Sequence, residues 1–111
     1  MTAKKHWMVH ALAPCRQITI DAGAGRALLQ GGASLLPSGV TGVAGDFKKG
    51  EPVLVLLQQG RQTLPIAKGI TRYGARDLTK IKGKKSAEIT GILGYIGAEV
   101  IHRDDLVLIH E

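Results

Sequence analysis

Lys80 to Ser86 reads K-I-K-G-K-K-S, four ammonium groups around one glycine with a hydroxyl at the end. Such a cluster suits a phosphate or a polyanion. A nucleotide-binding loop of the form G-x-x-x-x-G-K-[ST] needs a glycine five residues before the second, and the residue five before Gly83 is Leu78. Two lysines, not one, precede Ser86, so the backbone nest that cradles phosphates is not specified. H-R-D-D-L, His102 to Leu106, imitates a protein-kinase catalytic loop. The glycine-rich loop and the magnesium-binding D-F-G are missing, and 111 residues cannot supply two lobes. The stretch suits a turn, with Asp104 and Asp105 reversing the chain while His102 and Arg103 bond to nearby backbone.

His6 and His10 have the spacing that shares one helix face, but W-M-V between them offers no glutamate and Cys15 is the one obvious third ligand. Cys15 beside Arg16 lacks the His and Asn partners of a thiol nucleophile. No Ser, His and carboxylate combination forms a triad, and no metal cluster is evident, so no catalytic or metal-binding residue is expected. Trp7, Phe47, Tyr73 and Tyr95 are too sparse for base-stacking platforms. A nucleic acid would have to be held by shape and phosphate contacts.

Charge placement supports a polyanionic partner. Lys68, Arg72, Arg76, Lys80, Lys82, Lys84 and Lys85 stand against Asp77 alone, and this window carries the whole formal +6 of the chain. The plain alternative is a solvated face that keeps the protein soluble.

The elements that position these groups follow from periodicity. Q-I-T-I-D alternates, which makes a strand with Ile18 and Ile20 on one face. Asp21 then caps a short helix over A-G-A-G-R-A-L-L-Q, stopped at Gly31-Gly32, with Arg26 and Gln30 on its wet side. Gly39 to Phe47 is strand-like and glycine-rich, which predicts a bulge or a close backbone approach. Strands follow at Val53 to Leu57 and from Thr63 to Tyr73, the latter interrupted by Pro65 and Gly69, with Gln59-Gly60-Arg61 turning the chain between them. Ala75 to Ile81 is helical, with Leu78 and Ile81 inward and Arg76 and Lys80 outward, and Gly83 ends it. Ser86 caps a last helix reaching Leu93, with Glu88 in its first turn and Gly94 as the stop. Val100-Ile101 and Leu106 to Ile109 are extended pieces around H-R-D-D. The sum is one small, mainly β barrel or roll with two or three short helices.

Composition agrees with a single folded domain. At 44% apolar and 22% charged, the chain is globular, and folding at this size removes roughly two thirds of the unfolded surface from water. The longest plain apolar run, Val53 to Leu57, is far short of a membrane span, and the N-terminus lacks a signal peptide's continuous apolar region. One cysteine makes no internal disulfide, which fits a reducing, cytoplasmic setting.

Four stretches in this order resemble the C-terminal PUA domain of bacterial glutamate 5-kinases over roughly residues 16 to 109. They are I-T-I-D-A-G-A-G-R-A-L, then G-A-S-L-L-P-S-G-V-T-G-V-A-G-D-F-K-K-G-E-P-V, then K-I-K-G-K-K-S-A-E-I-T-G-I-L-G-Y, and finally V-I-H-R-D-D-L-V-L. The resemblance implies a PUA-like pseudo-barrel of about five to six strands, occupying residues 16–111. Residues 1–15 would be a linker or helical tail from an amino-acid-kinase domain that the chain does not contain. That domain would bind ATP and magnesium and phosphorylate L-glutamate in proline synthesis, leaving this domain without a cofactor or catalytic residue of its own.

Its partners would be that kinase domain and structured RNA, within a homo-oligomeric parent and away from membranes. In RNA-binding relatives the glycine loop after the first helix and the last strand form the RNA surface. Here these are Gly31, Gly32, Ala33, Ser34 and Leu35, with Leu106, Val107 and Leu108. The basic residues Arg72, Arg76, Lys80, Lys82, Lys84 and Lys85 join them as candidate RNA or partner contacts. One departure is Asp105, where the family usually has Asn; its added negative charge would weaken phosphate contact at that turn. Q-Q-G-R-Q-T-L-P-I also looks longer than the family's usual hairpin.

Overall fold

The computed structural model describes residues 16–94 and 99–109. The expected tail over residues 1–15, with His6, His10, Trp7 and Cys15, lies outside the described residues, as does Tyr95. The elements run β1 (Gln17–Ile20), α1 (Ala22–Gly31), a 3-10 turn (Pro37–Gly39), β2 (Val40–Ala44), β3 (Pro52–Gln59), β4 (Gln62–Ile70), α2 (Ala75–Ile81), α3 (Ser86–Leu93), a second 3-10 turn (Arg103–Asp105) and β5 (Leu106–Leu108). The five strands form one sheet in the order β2-β1-β3-β4-β5. β1 and β3 run parallel, and the other neighbours are antiparallel.

The strand period of two divides the sheet into an inner and an outer face. Ile18 and Ile20 of β1 and Val53, Val55 and Leu57 of β3 point inward and are buried. The helices close over that face with Leu28 from α1, Leu78 and Ile81 from α2 and Ile89 from α3. Pro52, Leu54 and Leu56 alternate with the inward set, so they point outward; Lys68 faces Leu54 across the β3–β4 pair and Val107 across the β4–β5 pair.

Two irregularities give the sheet its shape. Val55 pairs with Ala67 while Leu56 pairs with Pro65, so Ile66 is an extra residue and the proline, which has no N–H to give, sits at the bulge. A second register shift leaves Thr41 extra in β2, where its hydroxyl donates to the Thr19 carbonyl at 3.3 Å. Of the bulge or close backbone approach expected in the glycine-rich segment, the bulge is present, and at its start a Cβ on Gly39 would lie 2.5 Å from that of Ala24.

Several boundaries differ from the sequence reading. β2 stops at Ala44 because Gly45, at φ 87, leaves the extended region. β4 runs unbroken from Gln62 to Ile70, Pro65 being absorbed at its bulge. The cap of α3 is Lys85 and not Ser86: the Glu88 carboxylate accepts the Lys85 N–H at 3.3 Å, so the helix begins with Ser86 already inside it. Ile101 makes a single bridge to Leu35 instead of a strand.

Candidate nucleic-acid interface

α1 contains three glycines, each costing about 1 kcal/mol against alanine in a helix, so the segment has little helical preference of its own. Its N-terminus is held by Asp21, whose carboxylate accepts the Ala24 N–H at 2.8 Å. Its middle is held by packing. A Cβ at Gly25 would lie 2.6 Å from Leu57 Cδ1, so the missing side chain lets the helix sit directly on β3. Gly32 then ends it in the left-handed region at φ 59 and ψ 30, conformations that cost other residues about 1–2 kcal/mol.

Between α1 and the 33–39 segment lies a mainly apolar cleft of about 220 Å³, lined by Ala24, Ala27, Ser34, Leu36 and Ser38 among others. Its outer wall is tied to the chain's far end. Leu35 is 1% exposed; its N–H donates to the Ile101 carbonyl at 2.9 Å and its own carbonyl accepts the Val100 N–H at 2.7 Å. Ser34 Oγ accepts the Arg103 N–H at 2.9 Å, which places an exposed arginine beside the glycine loop.

The basic loop joins the same side. The Gly83 N–H donates to the Pro37 carbonyl at 2.8 Å, and Pro37 stands between the cleft residues Leu36 and Ser38. Gly83, at φ 75, reverses the chain here. Lys82, Lys84 and Lys85 flank this contact and are exposed, as are Arg76 and Lys80 on α2. Such a cluster attracts phosphates and releases their counterions.

The structure therefore divides the expected contacts. Gly31, Gly32, Ala33 and Ser34 are accessible around the cleft, with the Lys82–Lys85 loop joined to its rim. Leu35 is a core residue whose backbone is already bonded, so its part is to hold Ser34 in place. Arg72 is turned toward Glu99, with a nitrogen 3.7 Å from the carboxylate. Lys68, from the same basic window, sits on the outer face of the sheet. On β5, Leu106 and Leu108 pack against the inner core and Val107 points outward, so the segment that meets the glycine loop is Ile101 to Arg103. Arg103 was expected only as part of a turn. No local signal could have placed it here, since its partner Ser34 lies 69 residues away.

Around that turn, His102 Nδ1 accepts the Asp104 N–H at 3.1 Å, as H-R-D-D predicted in kind. Among the described residues, no group of three or more His, Cys, Asp and Glu side chains gathers for a metal, and no helix is long and apolar enough to cross a membrane. What the described surface offers is a cleft whose 36–38 segment is bonded, through Pro37 and Gly83, to a loop of exposed lysines.

The mixed five-stranded sheet closed on one face by three short helices, with a glycine-ended α1 beside a cleft, defines a small domain of the PUA type. The chain belongs to the PUA domain family, whose sequence profile it matches over residues 16–93. A PUA domain from Aeropyrum pernix K1, solved as a tartrate complex, is 27% identical with a TM-score of 0.56, over 79% of this chain and 41% of that one. A conserved PUA domain protein from Thermoplasma acidophilum shares the fold at a TM-score of 0.58 and 19% identity, over 88% of this chain and 55% of that one. Among curated proteins, the glutamate 5-kinase of Salinibacter ruber is 47% identical over 97% of this chain, and that of Trichormus variabilis 46% over 96%. The chain is thus homologous to the C-terminal PUA domain of glutamate 5-kinases, and it spans 29% and 28% of the length of those two relatives.

Proposed function

We propose that this chain is the accessory PUA domain of a cytoplasmic glutamate 5-kinase and is non-catalytic by itself. The observation that carries this reading is the 47% identity to a glutamate 5-kinase across nearly the entire chain. The γ-phosphoryl transfer from ATP to the carboxylate of L-glutamate, with its magnesium, belongs in this proposal to an amino-acid-kinase domain ahead of residue 16. The PUA domain serves oligomer contacts or regulation of that parent, and residues 1–15 are the linker. Incubating the 111-residue chain with ATP, magnesium and glutamate should release no ADP above background, and clear turnover would overturn the assignment.

For the domain's own ligand we propose structured RNA, bound at the α1 cleft and gripped through its phosphates by Lys82, Lys84 and Lys85. The junction of the basic loop with the cleft rim at Pro37 supports this. Replacing the three lysines by alanine should weaken binding to a structured RNA at low salt. It should also reduce the slope of log affinity against log salt by about 0.7–0.9 for each phosphate no longer neutralised. An unchanged slope excludes the loop from the interface. A free-standing RNA-binding PUA protein is the second reading, favoured by the same concentration of charge. The upstream reading frame separates the two: amino-acid-kinase sequence ahead of Met1 supports the first.

A further inference from the structure

The basic surface does not stop at the Lys82–Lys85 loop. At the other end of α2, the turn between β2 and β3 carries Lys48 and Lys49, both exposed. This turn is seated against the start of the helix. The Ala75 N–H donates to the Phe47 carbonyl at 2.9 Å, and a Cβ on Gly74 would lie 3.8 Å from Lys48 Cα and 4.0 Å from the Lys49 nitrogen. Two more backbone bonds fix it: the Gly50 N–H donates to the Thr71 carbonyl at 2.8 Å, and the Thr71 N–H to the Glu51 carbonyl at 3.1 Å. Phe47 itself is a core residue. Arg76 and Lys80, one helical turn apart and exposed, lie between the two ends of α2.

These cations are not neutralised by one another's neighbours. Among the described residues, the arginines and lysines that pair with a carboxylate are Arg16, with Glu51, and Arg72, with Glu99. Glu51, the acid three residues after Lys48, is engaged by Arg16 and by the Lys48 N–H, which it accepts at 2.9 Å. The Glu88 carboxylate accepts the Lys85 N–H. Asp46 and Asp77 are the remaining acids between residues 46 and 88, and the basic residues outnumber them. An unpaired surface cation can release its counterions to a phosphate without first breaking an ion pair.

α2 has seven residues, a length of about 10 Å. Its two basic ends are therefore too far apart for one phosphate to meet both, yet they lie within about one Debye length at 0.1 M salt, so their fields reinforce each other. That arrangement suits a chain of phosphates laid along the helix. We propose that the phosphate backbone of the bound RNA runs along α2 from the Lys82–Lys85 loop to Lys48 and Lys49, meeting Lys80 and Arg76 on the way. The inference rests on the RNA reading above and adds to it a second anchor, at the end of α2 away from the Pro37 contact.

The test is the binding of the 111-residue chain to a labelled stem-loop RNA, followed by fluorescence anisotropy over a series of salt concentrations. The double variant Lys48→Ala, Lys49→Ala should bind several-fold more weakly at low salt. Its slope of log affinity against log salt should fall by about 0.7–1.8, one or two phosphates' worth. Combined with alanine at Lys82, Lys84 and Lys85, the losses of slope should add. Lys68→Glu, on the outer face of the sheet, lowers the net charge by as much as the double variant and should leave the slope as it is. Far-ultraviolet circular dichroism should be the same for every variant. The proposal is overturned if the double variant keeps the parent slope, or if Lys68→Glu lowers the slope equally, which makes the effect one of net charge. A loss of slope in the triple lysine variant without one in the double variant removes the second anchor and leaves the RNA reading standing. No binding by the parent chain at low salt overturns both.

Discussion

Replacing Gly69 by alanine adds one methyl group at the point where the end of the chain crosses β4. The new Cβ would lie 2.6 Å from Ile101 Cγ2 and 2.8 Å from the Asp105 carbonyl oxygen, against the roughly 3.5–4 Å of an ordinary contact. The carbonyl cannot swing away alone, because it belongs to the 3-10 turn between His102 and β5. Overpacking of this kind costs about 1–3 kcal/mol, and the smaller entropy of the unfolded alanine chain returns about 0.4–1. The net loss is about 1–2 kcal/mol, a fall in Tm of roughly 5–15 °C at this size.

Gly25→Ala is the matched comparison, since its Cβ would also come within 2.6 Å of another atom. That atom is the tip of Leu57, a side chain that can rotate, and alanine inside a helix gains about 1 kcal/mol over glycine. Gly25→Ala should therefore cost clearly less than Gly69→Ala. Paired thermal or urea unfolding of the two variants measures this. Hydrogen exchange should localise the Gly69 effect to residues 101–108, where the displaced turn also loosens Arg103 from Ser34. Equal losses, or a Gly69 variant as stable as the parent chain, would refute the argument that an immovable carbonyl sets the cost.

Asp21→Ala removes the one side-chain cap of the glycine-rich α1 and should lower stability by about 1 kcal/mol, read as a shift in the urea midpoint at constant slope. Thr71→Val should cost more, about 1–3 kcal/mol, because the Thr71 hydroxyl, on a residue 1% exposed, donates to the Tyr73 carbonyl at 2.8 Å and accepts the Tyr73 N–H at 3.2 Å. Ser34→Ala should change global stability by about 1 kcal/mol or less, as its bond to Arg103 is exposed, yet the Arg103 amide should exchange measurably faster.

The local grammar of the chain determined its elements. Asp21 and Gly32 bound α1 because a carboxylate satisfies free amides and a glycine enters the left-handed region; the alternation of Gln17 to Ile20 marked β1, and Leu78 with Ile81 marked the buried side of α2. A mainly β fold with two or three short helices and the family were legible for the same reason: a run of such signals in one order is specific. Tertiary structure alone decided which pieces meet. The parallel pairing of β1 with β3, the bridge from Leu35 to Ile101 and the bond from Arg103 to Ser34 join residues far apart in sequence, and no short window encodes such partners. It also divided one basic window between two faces of the sheet, with Lys68 outside and Lys82, Lys84 and Lys85 joined at Gly83 to the cleft. Charge is a property of residues, but a binding surface depends on where the backbone brings them, and that is set by burial of the apolar side chains between them.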